Sequence, residues 1–249
     1  MVLLSPYNPA VSTDLFNLAI ETSGRVGSFV IGSGDRIIEA IDLPPQTGGA
    51  GSGGSSQFMQ MLDATCRALS IQPRQIGEVY LSIGPGSFTG LRVGVTIAKM
   101  FALVLGAKIV AVPTLDVVTL NAPDDVQHVA VGLNLKKETL YSGIFSREGD
   151  SWRAVCEPAL RSISQIFDLA PRPLALLGDP LPVIADIPDD VVILPAALAR
   201  AQARHLWKLG RIAAAAGAYC DPLALVPLYV RPPEAVELWD ARHGKPATA

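Results

Sequence analysis

The chain carries little charge and few of the side chains that most chemistry uses. Only 17% of its 249 residues are Asp, Glu, Lys or Arg, and 6% are aromatic. The three cysteines (Cys66, Cys156, Cys220) and three histidines (His128, His205, His243) are scattered without metal-ligand spacing. That sparsity argues against a zinc site or a disulfide framework and fits reduced thiols in a cytoplasmic protein. No run of Lys or Arg occurs and the formal charge is −3, so the chain is not expected to neutralise nucleic-acid phosphates by itself. The first nine residues lack the basic start and long apolar core of a secretory signal. The most apolar window, residues 93–112, is interrupted by Lys99, Gly106 and Lys108 and reads as helix plus strand, so no membrane partner is expected. A Gly-x4-Gly-Lys-Ser/Thr phosphate loop is absent, as is a Ser-centred Gly-x-Ser-x-Gly at a strand–helix turn.

What the chain does have is hydrophobic patterning: 49% of its residues are apolar, enough at this length for a sizeable core. Residues 15–22, 27–32 and 37–43 read as three meandering strands. Residues 44–55 form a Pro- and then Gly/Ser-rich loop with nothing to pack. Ser55 or Ser56 is placed to cap a helix over 57–69, whose apolar residues share one stripe and which Pro73 ends. A strand over 79–83, a helix over 89–105, a strand over 107–112 and a short helix over 114–120, capped by Thr114, follow. Beyond Pro123 the pattern restarts, with strands over 129–135, 139–145 and 152–156, another over 174–177, and an alanine-rich helix over 195–216. The tail from Pro222 is proline-rich and reads as extended. Strands followed by helices, twice, predict two related lobes divided into residues 1–123 and 124–249, each a mixed sheet flanked by helices.

The most informative stretch is Gly84-Pro85-Gly86-Ser87-Phe88-Thr89-Gly90-Leu91-Arg92-Val93-Gly94. It leaves a strand through a Gly-Pro-Gly turn and opens a helix whose first N–H groups lack intrahelical partners, so an anion or a partner's carbonyls can dock there. Gly90, Gly94, Ala98, Ala102 and Gly106 then recur every four residues along one ridge. Small residues there suit either close packing on the chain's own sheet or a helix shared with another protein.

Three segments in this order closely resemble the TsaB (YeaZ) family: Ile20-Glu21-Thr22-Ser23, the Gly84–Gly94 stretch, and Val112-Pro113-Thr114-Leu115. The match is clear over residues 15–121 and weaker beyond, where Asn134 to Phe145 and Pro227 to Arg231 are recognisable. The resemblance implies the actin/sugar-kinase/Hsp70-like (ASKHA) fold. It also implies a non-catalytic scaffold that partners the catalytic paralogue TsaD, with the ATPase TsaE, in threonylcarbamoyl transfer to an adenosine of tRNA. Contact with tRNA would come only through that complex, and a homodimer is an option when the partner is missing. The corresponding helices give Met61, Leu62, Arg92, Thr96 and Met100 as candidate partner-binding residues.

Relatives with catalytic activity hold a metal through two histidines on the short helix. Thr114 and Val118 stand at those places, and neither is a good transition-metal ligand, so no metal and no catalytic residue are expected. ASKHA enzymes handle Mg²⁺ and phosphate with strand-end carboxylates. Here the first place is Glu21 and the second is the uncharged Asn134. Glu21, Thr22, Gly84, Gly86, Ser87 and Thr89 remain candidate nucleotide-binding residues, and no other cofactor is implied. The His-Ser pattern of many relatives is replaced by Ser55-Ser56-Gln57, and Lys136-Lys137 stand where an arginine-containing turn is usual. The rival expectation is a small-molecule kinase or nucleotide hydrolase of the same fold.

Overall fold

The structure, a computed structural model, describes residues 15–44, 54–136, 139–178, 181, 184, 186–230, 239 and 242; for 54, 55 and 134–136 it describes the backbone alone. Most of the Gly/Ser loop, together with Lys137, lies outside the described residues.

The first sheet joins β1 (Phe16–Glu21), β2 (Ser28–Ser33), β3 (Arg36–Asp42), β4 (Ile76–Ser82) and β5 (Lys108–Val112) in the order β3-β2-β1-β4-β5. The first three form an antiparallel meander, while β1, β4 and β5 are parallel. Parallel strands need long crossovers, and two helices supply them: α1 (Gly54–Ala68) and α2 (Phe88–Leu105). Side chains alternate across each strand. Leu18, Ile20, Phe29, Ile31, Val79, Leu81 and Ile109 face α1 and α2, where Phe58, Leu62, Val95, Ala98 and Phe101 complete one core. Ala19, Val30, Tyr80, Val110 and Val112 face the other way. Burial on both faces explains why these strands read as continuous apolar runs.

A short helix, α3 (Thr114–Thr119), leads to the second sheet, built from β6 (His128–Lys136), β7 (Thr139–Glu148), β8 (Ser151–Ser162), β9 (Leu174–Gly178) and β10 (Val191–Ile193) in the order β10-β9-β6-β7-β8. Helix α4 (Ile163–Leu169) covers its outer face through Ile166. The last long helix, α5 (Ala203–Ala215), returns to the first sheet, packing on β1, β2, β4 and β5. Its Trp207 donates Nε1–H to Asn17 Oδ1, and Gly210 lies against the Tyr80 ring. Together α3, α5 and the two sheets enclose a second core between the lobes. Two mixed sheets flanked by helices, related by this repeat, are the ASKHA fold.

Several boundaries differ from expectation for identifiable reasons. Helix α1 starts at Gly54, so Ser55 and Ser56 lie inside its first turn instead of capping it. It ends before Pro73: Ser70 turns left-handed at φ 57° and Ile71 N–H closes onto the Cys66 carbonyl at 2.8 Å, while Pro73 opens a separate short turn. Thr114 is not the cap of α3. Pro113 occupies that place, and the Thr114 hydroxyl shares a hydrogen bond with Ser82 Oγ at 2.8 Å. The expected helix over 195–216 breaks after Ala199, because Asn121 Nδ2–H draws out the carbonyls of Leu198 and Arg200 at 2.7 and 2.8 Å. Helix α4 and strand β10 complete the second lobe and were not expected.

Candidate functional site

The sequence-derived nucleotide candidates converge where β1 and β4 end and α2 begins, and the chain binds them to one another. Ser87 N–H donates to the Ser23 carbonyl at 2.7 Å, and Thr22 Oγ1–H to the Gly90 carbonyl at 2.8 Å. Ser87 caps α2 by accepting from Gly90 N–H at 3.3 Å. Gly84, at φ 112°, offers its carbonyl to Thr114 N–H at 2.8 Å. A Cβ on Gly90 would overlap the Thr22 carbonyl oxygen, and one on Gly94 would stand 2.5 Å from Thr22 Oγ1. The start of α2 is thus pressed onto the Glu21–Ser23 turn. The docking carbonyl foreseen for the glycine loop belongs to Ser23 of the same chain. Of the six candidates, Ser87 and Thr89 have exposed side chains, and the Ser87 hydroxyl is taken up by the cap.

Glu21 is fully buried. One carboxyl oxygen accepts from Ser23 N–H at 2.6 Å and Ser23 Oγ–H at 2.5 Å, and Oε2 has no hydrogen-bond partner among the described residues. Burial pushes its carboxyl above the ordinary carboxylate range, opposed by the Ser23 hydrogen bonds, Ser82 and the distant Arg200 guanidinium. A carboxylate poised for Mg²⁺ faces water or phosphate oxygens. This one is folded back into the protein. Nearby, Asp116 on α3 is largely desolvated, which pushes its carboxyl up to about 6. Thr114 and Val118 are buried, and among the described residues no three of His, Cys, Asp and Glu gather as metal ligands. Asn134 pairs with Leu140 in the β6–β7 register. A small cavity of about 100 Å³, lined by Ser28, Asp42, Gln202 and Arg204 among others, lies elsewhere and contains none of the candidates.

Helix α2 has two unlike sides. Leu91, Gly94, Val95, Ile97, Ala98 and Phe101 are buried against the first sheet. The ridge of small residues therefore packs inward at Gly94 and Ala98. Arg92, Thr96 and Met100 continue outward, and the same spacing runs on to Leu103 and Val104, which are 62% and 74% exposed. The apolar window over 93–112 is helix followed by strand, as expected; α2 alone is long and apolar enough to cross a membrane, and one of its sides is core. Of the α1 candidates, Met61 is half-buried beside the core, and Leu62 is 3% exposed and drops out of the exposed stripe. Leu62 repeats at helical spacing with Phe58 and Cys66, a signal that the residue faces inward. Leu103 and Val104 were not among the expected contact residues; extending the Arg92–Thr96–Met100 spacing by one turn reaches them.

The family described as "TsaD: tRNA N6-adenosine threonylcarbamoyltransferase" matches residues 45–181, more than half of the chain. The Bacillus subtilis protein named tRNA threonylcarbamoyladenosine biosynthesis protein TsaB is 26% identical over 193 residues, covering 74% of this chain and 82% of that one. The chain belongs to the TsaB (YeaZ) family. Two solved structures from Pseudomonas aeruginosa share the fold at 18% and 19% identity. One, titled YeaZ, superposes with a TM-score of 0.67; the other, described as similar to peptidase YeaZ, with 0.69. Each covers 87% of this chain and 100% of the solved one. Among these TsaB-family features, the 84–94 signature serves here to seat α2 on the β1 turn.

Proposed function

We propose that the chain is a platform subunit in tRNA threonylcarbamoyladenosine biosynthesis. It docks a TsaD-like catalytic subunit through the outer side of α2, with Arg92, Thr96 and Met100 at the contact, and works beside a TsaE-like ATPase in the cytoplasm. It contributes no catalytic residue, and tRNA is reached through the assembled complex. The observation that carries this reading is the outer side of α2 itself: a well-packed helix whose exposed face is apolar at Met100, Leu103 and Val104. The printed name of the Bacillus relative supplies the pathway. Self-association through the same side is the expected behaviour when the partner is missing.

The experiment is co-purification with the TsaD-like subunit. Thr96→Arg and Met100→Glu change exposed positions, so each variant should fold normally and lose the partner. Retention of the partner by both would reject the assignment. The rival reading, a kinase or nucleotide hydrolase, draws on Glu21 and the Gly84–Thr89 loop and is weakened by the burial of Glu21. Calorimetry with ATP and Mg²⁺ on the isolated chain decides it: micromolar binding with turnover favours the enzyme.

A further inference from the structure

The segment that follows α5 runs back along α2. Cys220 N–H donates to the Ile109 carbonyl at 2.9 Å and forms a bridge on the open edge of β5. The Leu223 carbonyl accepts from Lys99 Nζ at 3.4 Å, Leu225 enters the core under α2, and Leu228 N–H donates to the Ile83 carbonyl at 2.8 Å. Tyr229 packs on Phe88 with ring centroids 4.8 Å apart, and the Arg92 guanidinium lies over the Phe88 ring, 4.4 Å from its centroid. Phe88 and Lys99 are about three helical turns apart and so share one side of α2. The strap therefore borders the outer side of α2 along most of its length, antiparallel to it.

Two of its apolar side chains point away from the core: Leu223 is 74% and Val226 66% exposed. An extended segment fixed at five points has no need of such residues for its own packing. The Lys99–Leu223 hydrogen bond puts Leu223 beside the turn of α2 that carries Met100 and Leu103. Charge adds a second constraint. Helix α2 carries Arg92 and Lys99 and no carboxylate, and among the described residues no carboxylate pairs with Arg92.

We infer that residues 221–230 form the second wall of the docking surface, and that its occupant is an apolar helix of the partner subunit carrying a carboxylate at the level of Arg92. The inference rests on the platform reading above and names the chemistry of its partner. A helix laid along α2 would bury Met100 and Leu103 on one flank and Leu223 and Val226 on the other, and its acid would meet the guanidinium already held over Phe88.

The test is calorimetric titration of the TsaD-like subunit with four variants: Met100→Glu, the pair Leu223→Asp/Val226→Asp, Arg92→Leu and Arg92→Glu. The pair is expected to weaken binding at least tenfold with an unchanged melting temperature. Arg92→Glu should weaken binding more than Arg92→Leu, and raised salt should narrow that difference. Should the aspartates lower the melting temperature, Leu223→Ser/Val226→Ser is read in the same way. Full affinity of the pair, with Met100→Glu disabled, overturns the second wall and leaves the platform reading intact. Equal affinities of the two Arg92 variants overturn the acidic occupant. Full affinity in all four overturns the platform reading itself. A pair that disrupts only self-association in light scattering makes the occupant a second copy and overturns the inference.

Discussion

The two sides of helix α2 solve opposite problems with the same eighteen residues. Inward, glycine and alanine let the backbone lie against Thr22 and the first sheet, and every contact is made within the chain. Outward, long apolar side chains stand with nothing of the described chain over them. The inner side is intolerant of volume, whereas the outer side has room for it. Intimate packing marks the side whose partner is already present, while exposed bulk marks the side that the proposed platform would offer to another molecule.

The sharpest way to break the contrast is to add volume inside. Gly90→Leu would drive a side chain into the Thr22 carbonyl, and overpacking of this kind costs about 1–3 kcal/mol or more. A large drop in melting temperature is expected, and a stable variant would show that the seam is looser than described. Outside, Met100→Glu should leave stability within about 0.5 kcal/mol, as exposed substitutions do. Its effect belongs to partner binding, read by co-purification. A third prediction concerns pH. Burial raises the Glu21 and Asp116 carboxyls, the latter to about 6, so the folded state holds protons that the unfolded chain releases. Stability from these groups is present below the unfolded carboxylate range and is lost as pH rises through the folded values. Denaturant midpoints should fall from pH 4 toward pH 7, and Glu21→Gln should flatten the slope; a slope unchanged in that variant would place the charge elsewhere. The smallest effect is expected at the strap, where Tyr229→Ala removes one stacked ring worth about 0.5–1.5 kcal/mol. Loss of protection of the Leu228 amide in hydrogen exchange would report it, with the rest of the first sheet unaltered.

The first lobe was legible because its strands and helices keep clean periods. Alternation placed Leu18, Ile20, Val79 and Leu81 on one face, and the glycine turn announced α2. Errors arose where distant contacts override local preference. Asn121 takes two carbonyls that a continuous helix over 195–216 would have kept for itself, and nothing near residue 198 announces a donor from residue 121. Thr114 looked like a cap, yet its hydroxyl was claimed by Ser82 across 32 positions of sequence. Helix α4, by contrast, was readable: Ser162 and Gln165 form a reciprocal capping box at its start. At the candidate site, no pattern in the sequence tells that Glu21 turns back onto Ser23.

The return of α5 has a mechanical consequence. Trp207 of α5 anchors to Asn17 of β1, while in the approach to α5 Gln202 donates to Asn121 at 2.7 Å and Arg200 grips Asp42 of β3, so α5 and the segment leading into it are stitched to the first sheet and to the turn after α3. Moving the second sheet away would instead uncover the apolar layer that α3, α5 and both sheets share, so the two halves are held chiefly by excluded water.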